Sequence, residues 1–206
     1  CRGNFYLELN DIDNALADYT KIMELNPNNA NAYCNRGLLY SDHLRDFEKA
    51  IADCTKAIEL NPLLALAYNN RANVRKEMTN GGKRTKEVLD MIIADYRKAF
   101  EANPYFAEAY NNCGLLYHDM HDFKKALYYF KKSVEIKPDY AGGHCNCGLA
   151  YYYLNENDNA LIHLNKAILL DPNNSIAYLG RGKVFYRSDD FRKAMEEHRL
   201  ISGSGK

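Results

Sequence analysis

The sequence lacks an excess of charge of either sign, and this absence excludes two broad classes of binding protein. Its 206 residues include 27 Lys and Arg against 27 Asp and Glu. A protein that neutralises nucleic-acid phosphates or coats an anionic membrane needs a basic surplus. The sequence also lacks any apolar run near the roughly 18 residues that a membrane helix requires. We therefore expect neither a nucleic-acid nor a membrane partner.

Only five prolines occur, and their spacing organises the chain. They are Pro27, Pro62, Pro104, Pro138 and Pro172, so successive prolines lie 35, 42, 34 and 34 residues apart. Self-similarity at such a period is the sequence signature of a stacked repeat array.

The unit at residues 107–139 shows what each repeat contains. Tyr110, Gly114 and Tyr117 follow one another at intervals of three to four residues, which predicts a helix over 110–120. A second periodic stretch predicts a helix over 123–136, with Asp122 as its N-cap and Pro138 ending it. Each unit is thus predicted to be a helical hairpin, whose small residue at the Gly114 position lets the two helices approach closely.

This pattern resembles the tetratricopeptide repeat family, whose repeat is a 34-residue helix-turn-helix. The matching sets are Tyr33, Gly37 and Tyr40; Tyr110, Gly114, Tyr117, Ala126, Phe130 and Pro138; and Gly148, Tyr151, Ala160, Ala167 and Pro172. The resemblance implies an all-α fold, a right-handed superhelical solenoid of antiparallel helix pairs. It also implies that the first helices line a concave groove that binds peptides.

The frame predicts a single array over residues 1–206. Its units are a partial repeat at 1–28, then 29–62, 63–104, 105–138, 139–172 and 173–201, followed by a flexible tail at 202–206. The chain begins at Cys1 inside the first helix of a unit, so we expect it to be a fragment. The third unit carries an insertion near 79–86, where Lys83, Arg84 and Lys86 make a candidate loop contact. The alternative is a tolerated surface insertion.

Six cysteines are scattered over different repeats: Cys1, Cys34, Cys54, Cys113, Cys145 and Cys147. Cys145 and Cys147 are two residues apart on a predicted helix, where side chains do not face each other, and His144 completes no zinc spacing. We expect free thiols, no metal and no cofactor. Free thiols predict a reducing compartment, which is the cytoplasm, with nuclear and ciliary locations left open.

No catalytic constellation is present in the sequence. The serines lack a nucleophile elbow, and Gly81, Gly82 and Lys83 lack the spacing of a phosphate loop. Acidic residues recur at matching places in successive second helices, as at Asp18, Asp53 and Asp95, so descent of the repeat explains them better than acid-base chemistry. We predict that the protein is not an enzyme.

Asparagine recurs two residues before the small residue in four consecutive units: Asn35, Asn70, Asn112 and Asn146. We call these four the asparagine row. A carboxamide both donates and accepts, so each could pair with the backbone of an extended peptide. The resemblance supports this, since the repeat arm of O-linked N-acetylglucosamine transferase and armadillo solenoids hold peptides with such rows. Local hydrogen bonding is the alternative.

The co-chaperone members of the family grip a C-terminal carboxylate with cations on the third of three first helices. In the frames that start at the first and at the third unit, Leu66 with Asn70, and Gly142 with Asn146, stand where the cations would be needed. The sequence therefore argues against a chaperone carboxylate clamp. Arg36, Arg71 and Arg181 lie just before the small residues and could be groove cations or structural groups.

The resulting prediction is a protein-interaction module or scaffold that binds a partner peptide segment in the concave groove. Two alternatives stay open. The chain could be the substrate-selecting arm of a larger enzyme, or a structural scaffold of a cytoskeletal or ciliary assembly.

Overall fold

The computed structural model describes residues 11–79 and 85–188, together with residues 190, 193, 195 and 199. Ten α-helices and no strand lie in the two continuous ranges. They are α1 Ile12–Leu25, α2 Ala30–Asp42, α3 Phe47–Leu60, α4 Ala65–Met78, α5 Lys86–Ala102, α6 Ala107–Asp119, α7 Phe123–Ile136, α8 Ala141–Tyr153, α9 Asn157–Leu170 and α10 Ser175–Arg187. The predicted all-α fold is confirmed.

The chain divides into two compact units, residues 1–106 and 107–206. In the first unit, each of the helices α1 to α5 contacts the next, and α2 also contacts α4. In the second unit, each of α6 to α10 contacts the next, and α8 also contacts both α6 and α10. We call α2, α4, α6, α8 and α10 the first helices and the others the second helices.

Glycine allows the first helices α6 and α8 to lie close against their own second helices. A Cβ atom added at Gly114 would lie 2.5 Å from the Phe130 ring, and one added at Gly148 would lie 2.5 Å from Cγ of Leu164. Phe130 and Leu164 are fully buried in the two hairpins. The close approach predicted for the small position is therefore confirmed at these two repeats.

Short turns join the helices of a hairpin and recur with the repeat. Asp46 and Asp122 cap α3 and α7 by accepting hydrogen bonds from the backbone N–H of the third helical residue, at 3.1 Å in both cases. Arg45, His121 and Asn155 have φ angles of 55°, 58° and 63°, so the chain turns through the left-handed region before a new helix begins. The predicted cap at Asp122 is confirmed, and α7 has the predicted bounds.

Five of the six cysteines lie in the described ranges, and all five are free and buried. Burial raises the pKa of the Cys34 and Cys145 thiols to about 11, so both stay protonated at neutral pH. Protonated buried thiols are poor nucleophiles and poor metal ligands. The prediction of free thiols is confirmed for these five, while Cys1 lies outside the described residues.

Candidate functional site

The asparagine row lies on four first helices, two in each compact unit. Asn35 on α2 and Asn70 on α4 belong to the first unit, and Asn112 on α6 and Asn146 on α8 belong to the second. Asn35, Asn112 and Asn146 are partly exposed, whereas Asn70 retains only 4% of its accessible surface. Three of the four side chains are thus accessible to a ligand from solvent.

Two members of the row use their amides to join neighbouring first helices. Nδ2 of Asn70 donates to Sγ of Cys34 at 3.6 Å, and Nδ2 of Asn146 donates to Oδ1 of Asn111 at 2.8 Å. Both bonds run from one first helix to the residue one place earlier on the preceding first helix. The row therefore contributes to packing between repeats as well as presenting polar groups.

A second set of residues, one place before each member of the row, was not predicted from the sequence. Cys34, Asn69, Asn111 and Cys145 occupy this place, and all four are buried. Asn69 donates to Oδ1 of Asn70 at 3.3 Å, so the carbonyl of Asn70 is already used inside the protein. Two asparagines side by side at 69–70 and at 111–112 are the sequence signal that could have revealed this second polar layer.

Asn35 differs from its neighbours because its carboxamide forms no hydrogen bond within the part of the chain that the structure describes. Leu38, one helical turn further along α2, is 37% exposed, and Leu66 on α4 is 38% exposed. The first-helix surface of the first unit therefore combines a carboxamide that can donate and accept with accessible apolar side chains. Such a combination suits contact with a peptide backbone and its side chains.

The arginines beside the row are engaged inside the protein. Arg36 donates from Nε and Nη2 to the two carboxylate oxygens of Asp53 at 2.7 and 2.8 Å, and from Nη1 to Thr20 at 3.3 Å. The hydrogen bonds to Asp53 raise the pKa of Arg36 above its usual value. Of the two interpretations of these arginines, Arg36 follows the structural one, because its charge is neutralised by a buried carboxylate.

The same arrangement recurs one repeat later. Arg71 donates to both oxygens of Asp95 at 3.0 and 2.7 Å and to Thr55 at 3.1 Å. Arg75 forms a second ion pair with Asp95. Arg36 and Arg71 thus each link the second helix of their own repeat to the second helix of the preceding one, and Asp53 and Asp95 are structural anchors. Arg181 shows part of this arrangement, since its Nη1 donates to Asn165 on the preceding second helix α9 at 2.6 Å.

The first two repeats of the second unit have neutral groups in place of these ion pairs. Cys113 and Cys147 stand where the first unit has arginine, and Tyr129 and His163 stand where it has aspartate. Burial raises the pKa of Cys113 to about 12, against the opposing effect of its hydrogen bond with Tyr129. The chemistry at this internal position therefore differs between repeats.

The insertion contributes little to the described structure. Lys83 and Arg84 lie outside the described residues. Lys86 is the first residue of α5 and is exposed, and Thr85 before it caps the helix by accepting a hydrogen bond from Val88 N at 3.4 Å. A contact through this loop stays a prediction.

These observations define the class of protein. The described part of the chain is built from helical hairpins, with no helix long and apolar enough to cross a membrane. The chain belongs to the tetratricopeptide repeat family. The TPR repeat model matches residues 3–43 and 148–189, and the tetratricopeptide repeat model matches residues 30–62 and 107–140. The unit with the insertion lies between the matched spans.

Solved structures of similar fold include MamA, YrrB and PilF. MamA is 25% identical with a TM-score of 0.66, over 84% of this chain and 96% of MamA. YrrB, described as a TPR protein with an unusual peptide-binding site, is 24% identical with a TM-score of 0.66, over 89% of this chain and 90% of YrrB. PilF of Pseudomonas aeruginosa is 22% identical with a TM-score of 0.74, over 86% of this chain and 77% of PilF. No curated protein matches the sequence.

Proposed function

We propose that this protein is a protein-interaction module that binds an extended segment of a partner along its first helices. Members of the family are generally interaction modules without catalytic activity. Asn35 carries the proposal, because a partly exposed carboxamide with no hydrogen bond in the described structure can bond a peptide N–H and C=O at once. YrrB, similar in fold, is described as having a peptide-binding site.

The four members of the row take different parts in this proposal. Asn35 in the first unit, and Asn112 and Asn146 in the second, are partly exposed, so each is accessible to a bound segment. The side-chain amide of Asn146 donates to Asn111, and its carbonyl oxygen can accept a hydrogen bond from a peptide N–H. Asn70 is buried and holds Asn69 and Cys34, so it keeps the neighbouring first helices in position.

Affinity in this mechanism comes from two sources. The carboxamides bond the backbone of the segment and do not discriminate between its side chains. Accessible apolar groups on the first helices, namely Leu38, Leu66 and Leu179, which is 49% exposed, bury the partner's apolar side chains. Because Asp53 and Asp95 already neutralise Arg36 and Arg71, these two arginines do not select a terminal carboxylate in this proposal.

The test uses a peptide selected from a random display library against the folded chain. Its dissociation constant is measured by fluorescence anisotropy for the wild type and for the Asn35→Ala/Asn146→Ala variant. Losing two hydrogen bonds to the backbone should weaken binding by about tenfold or more. Asn159→Ala, which alters an exposed residue on the second helix α9, is the matched control and should bind as the wild type does.

Circular dichroism of both variants establishes that helix content is retained. If the double variant and the wild type bind the peptide with equal affinity, the binding site does not lie on the asparagine row. Failure of the folded chain to select any peptide would contradict the proposed function itself.

A further inference from the structure

Two histidines of the second unit meet between α8 and α9 through the same ring atom. Nδ1 of His144 and Nδ1 of His163 are 3.1 Å apart, while the two ring centroids are 5.2 Å apart. The two rings therefore face each other through their Nδ1 atoms. Both side chains are partly buried, and they border an open surface hollow lined by His144, Ile162, His163, Asn165, Lys166 and Leu169.

A backbone carbonyl fixes the tautomer of His144. Nε2 of His144 lies 3.1 Å from the carbonyl oxygen of Pro138, and because that oxygen can only accept, Nε2 carries the proton. Nδ1 of neutral His144 therefore presents a lone pair toward His163. A carbonyl that orients the far nitrogen of an imidazole in this way is the usual companion of a metal-ligating histidine.

The surroundings keep the two imidazoles neutral. Burial, the neighbouring His144 and Lys131 lower the pKa of His163 to about 4, so its imidazole is uncharged at neutral pH. Burial and Lys166 lower the pKa of His144 as well. Tyr151 lies against His163, with ring centroids 5.4 Å apart. The thiol of Cys147 on α8 has its pKa raised to about 12 and stays protonated.

We propose that His144 and His163 together bind one divalent transition-metal ion through their Nδ1 atoms. Two nitrogens about 2.0 to 2.1 Å from one ion lie about 2.9 Å apart in square-planar and about 3.3 Å apart in tetrahedral coordination. The observed 3.1 Å falls between these values. In the described ranges no three His, Cys, Asp or Glu side chains converge on one point, so water from the hollow completes the coordination.

Binding replaces one hydrogen bond by two metal–nitrogen bonds. In the free protein, the proton on Nδ1 of His163 is donated to Nδ1 of His144. On binding, that proton moves to Nε2 of His163, two waters leave the ion, and no net proton is gained or lost. Neutral imidazoles select Zn²⁺, Ni²⁺ and Cu²⁺, whereas Mg²⁺ and Ca²⁺ prefer oxygen ligands.

The test is calorimetric titration of the whole chain, free of any histidine tag, with Ni²⁺ and Zn²⁺ at neutral pH. We expect one ion per chain, and binding weaker by about tenfold or more in His144→Gln and in His163→Gln. His43→Gln, which alters an exposed histidine of the first unit, is the matched control and should bind as the wild type does. Mg²⁺ should give no heat of binding.

A second measurement needs no variant and therefore does not depend on folding of the substituted chains. The electron paramagnetic resonance spectrum of the wild type with one equivalent of Cu²⁺ should show coupling to two imidazole nitrogens. Coupling to fewer than two overturns the proposal. So does affinity for Ni²⁺ or Zn²⁺ in the wild type no greater than in the folded His144→Gln/His163→Gln variant.

Discussion

Asn146 donates its side-chain N–H to the side-chain carbonyl of Asn111 across 2.8 Å, and this bond joins the first helices α8 and α6. Asn111 is 4% exposed, whereas Asn146 is partly exposed. The pair therefore has an inner member that serves packing and an outer member that faces solvent. The same division into a buried support and an accessible group is the basis of the proposed peptide contact.

Removal of the inner member should cost stability. Asn111→Ala leaves the N–H of Asn146 without its acceptor and deletes a buried polar side chain, so the free energy of unfolding should fall by about 1 to 2 kcal/mol. Asn146→Ala should cost a similar amount, because it leaves the carbonyl oxygen of the buried Asn111 without its donor. Urea denaturation of both variants checks this, and an unchanged free energy of unfolding in either variant would contradict it.

Gly114 of α6 and Gly142 of α8 should respond to alanine in opposite directions. Gly114→Ala drives a methyl group to 2.5 Å from the buried Phe130 ring, and overpacking of this kind costs about 1 to 3 kcal/mol. Gly142→Ala meets only Cε2 of Tyr140 at 3.3 Å and gains helix propensity, so stability should be unchanged or rise by up to about 1 kcal/mol. Thermal unfolding distinguishes the two, and a stabilised Gly114→Ala would show that the helices can separate freely.

Removing one partner of the Arg36–Asp53 ion pair should cost more stability than replacing both partners by apolar residues. Their side chains are 19% and 9% exposed, so Asp53→Ala leaves a largely buried cation unpaired and should cost about 3 kcal/mol. The Arg36→Met/Asp53→Leu double variant should lie within about 1 kcal/mol of the wild type, because it removes both charges.

Lys56→Ala serves as the control for that ion pair. Lys56 pairs with Glu59 on the exposed face of α3, where the two side chains are 48% and 59% exposed, and its loss should not shift the denaturation midpoint measurably. If Asp53→Ala were as mild as Lys56→Ala, the arginines would be free to serve a ligand after all.

Stability should fall with acid because of His163. Its pKa is about 4 in the folded protein against 6.5 ordinarily, since burial, His144 and Lys131 disfavour the charged ring. The unfolded chain therefore binds a proton as pH drops below 6.5, while the folded chain does not until about 4. The free energy of unfolding should decline over this window, with no further loss from this group below it.

His163→Gln should flatten this part of the pH profile. Urea denaturation at several pH values between 6.5 and 4 gives the difference between wild type and variant, in which the carboxylate contributions cancel. A difference that does not depend on pH would contradict the assignment.

The sequence predicted the helical hairpins well because their signals are local. The spacing of Tyr110, Gly114 and Tyr117 predicted α6, although this helix begins three residues earlier than predicted, at Ala107. Asp122 and Pro138 correctly predicted both ends of α7. Such signals depend on helix periodicity and capping, which neighbouring residues determine.

The partners of polar side chains were not predictable in the same way. Asn70 and Asn146 occupy the same place in their repeats, yet one is buried between Asn69 and Cys34 and the other faces solvent. The sequence could not distinguish a groove arginine from a structural one, because Arg36 meets Asp53 and Thr20 only when three helices pack together. The meeting of His144 with His163 depends on the same tertiary packing.

The most direct test of the account is the location of a bound peptide. A photo-crosslinking amino acid is placed at position 35 or 146 on the first helices, or at the exposed position 162 on the second helix α9, and the display-selected peptide is irradiated with each folded variant. Binding along the first helices predicts crosslinks at positions 35 and 146 and none at position 162. Crosslinking at 162 with none at 35 or 146 would contradict binding along the first helices.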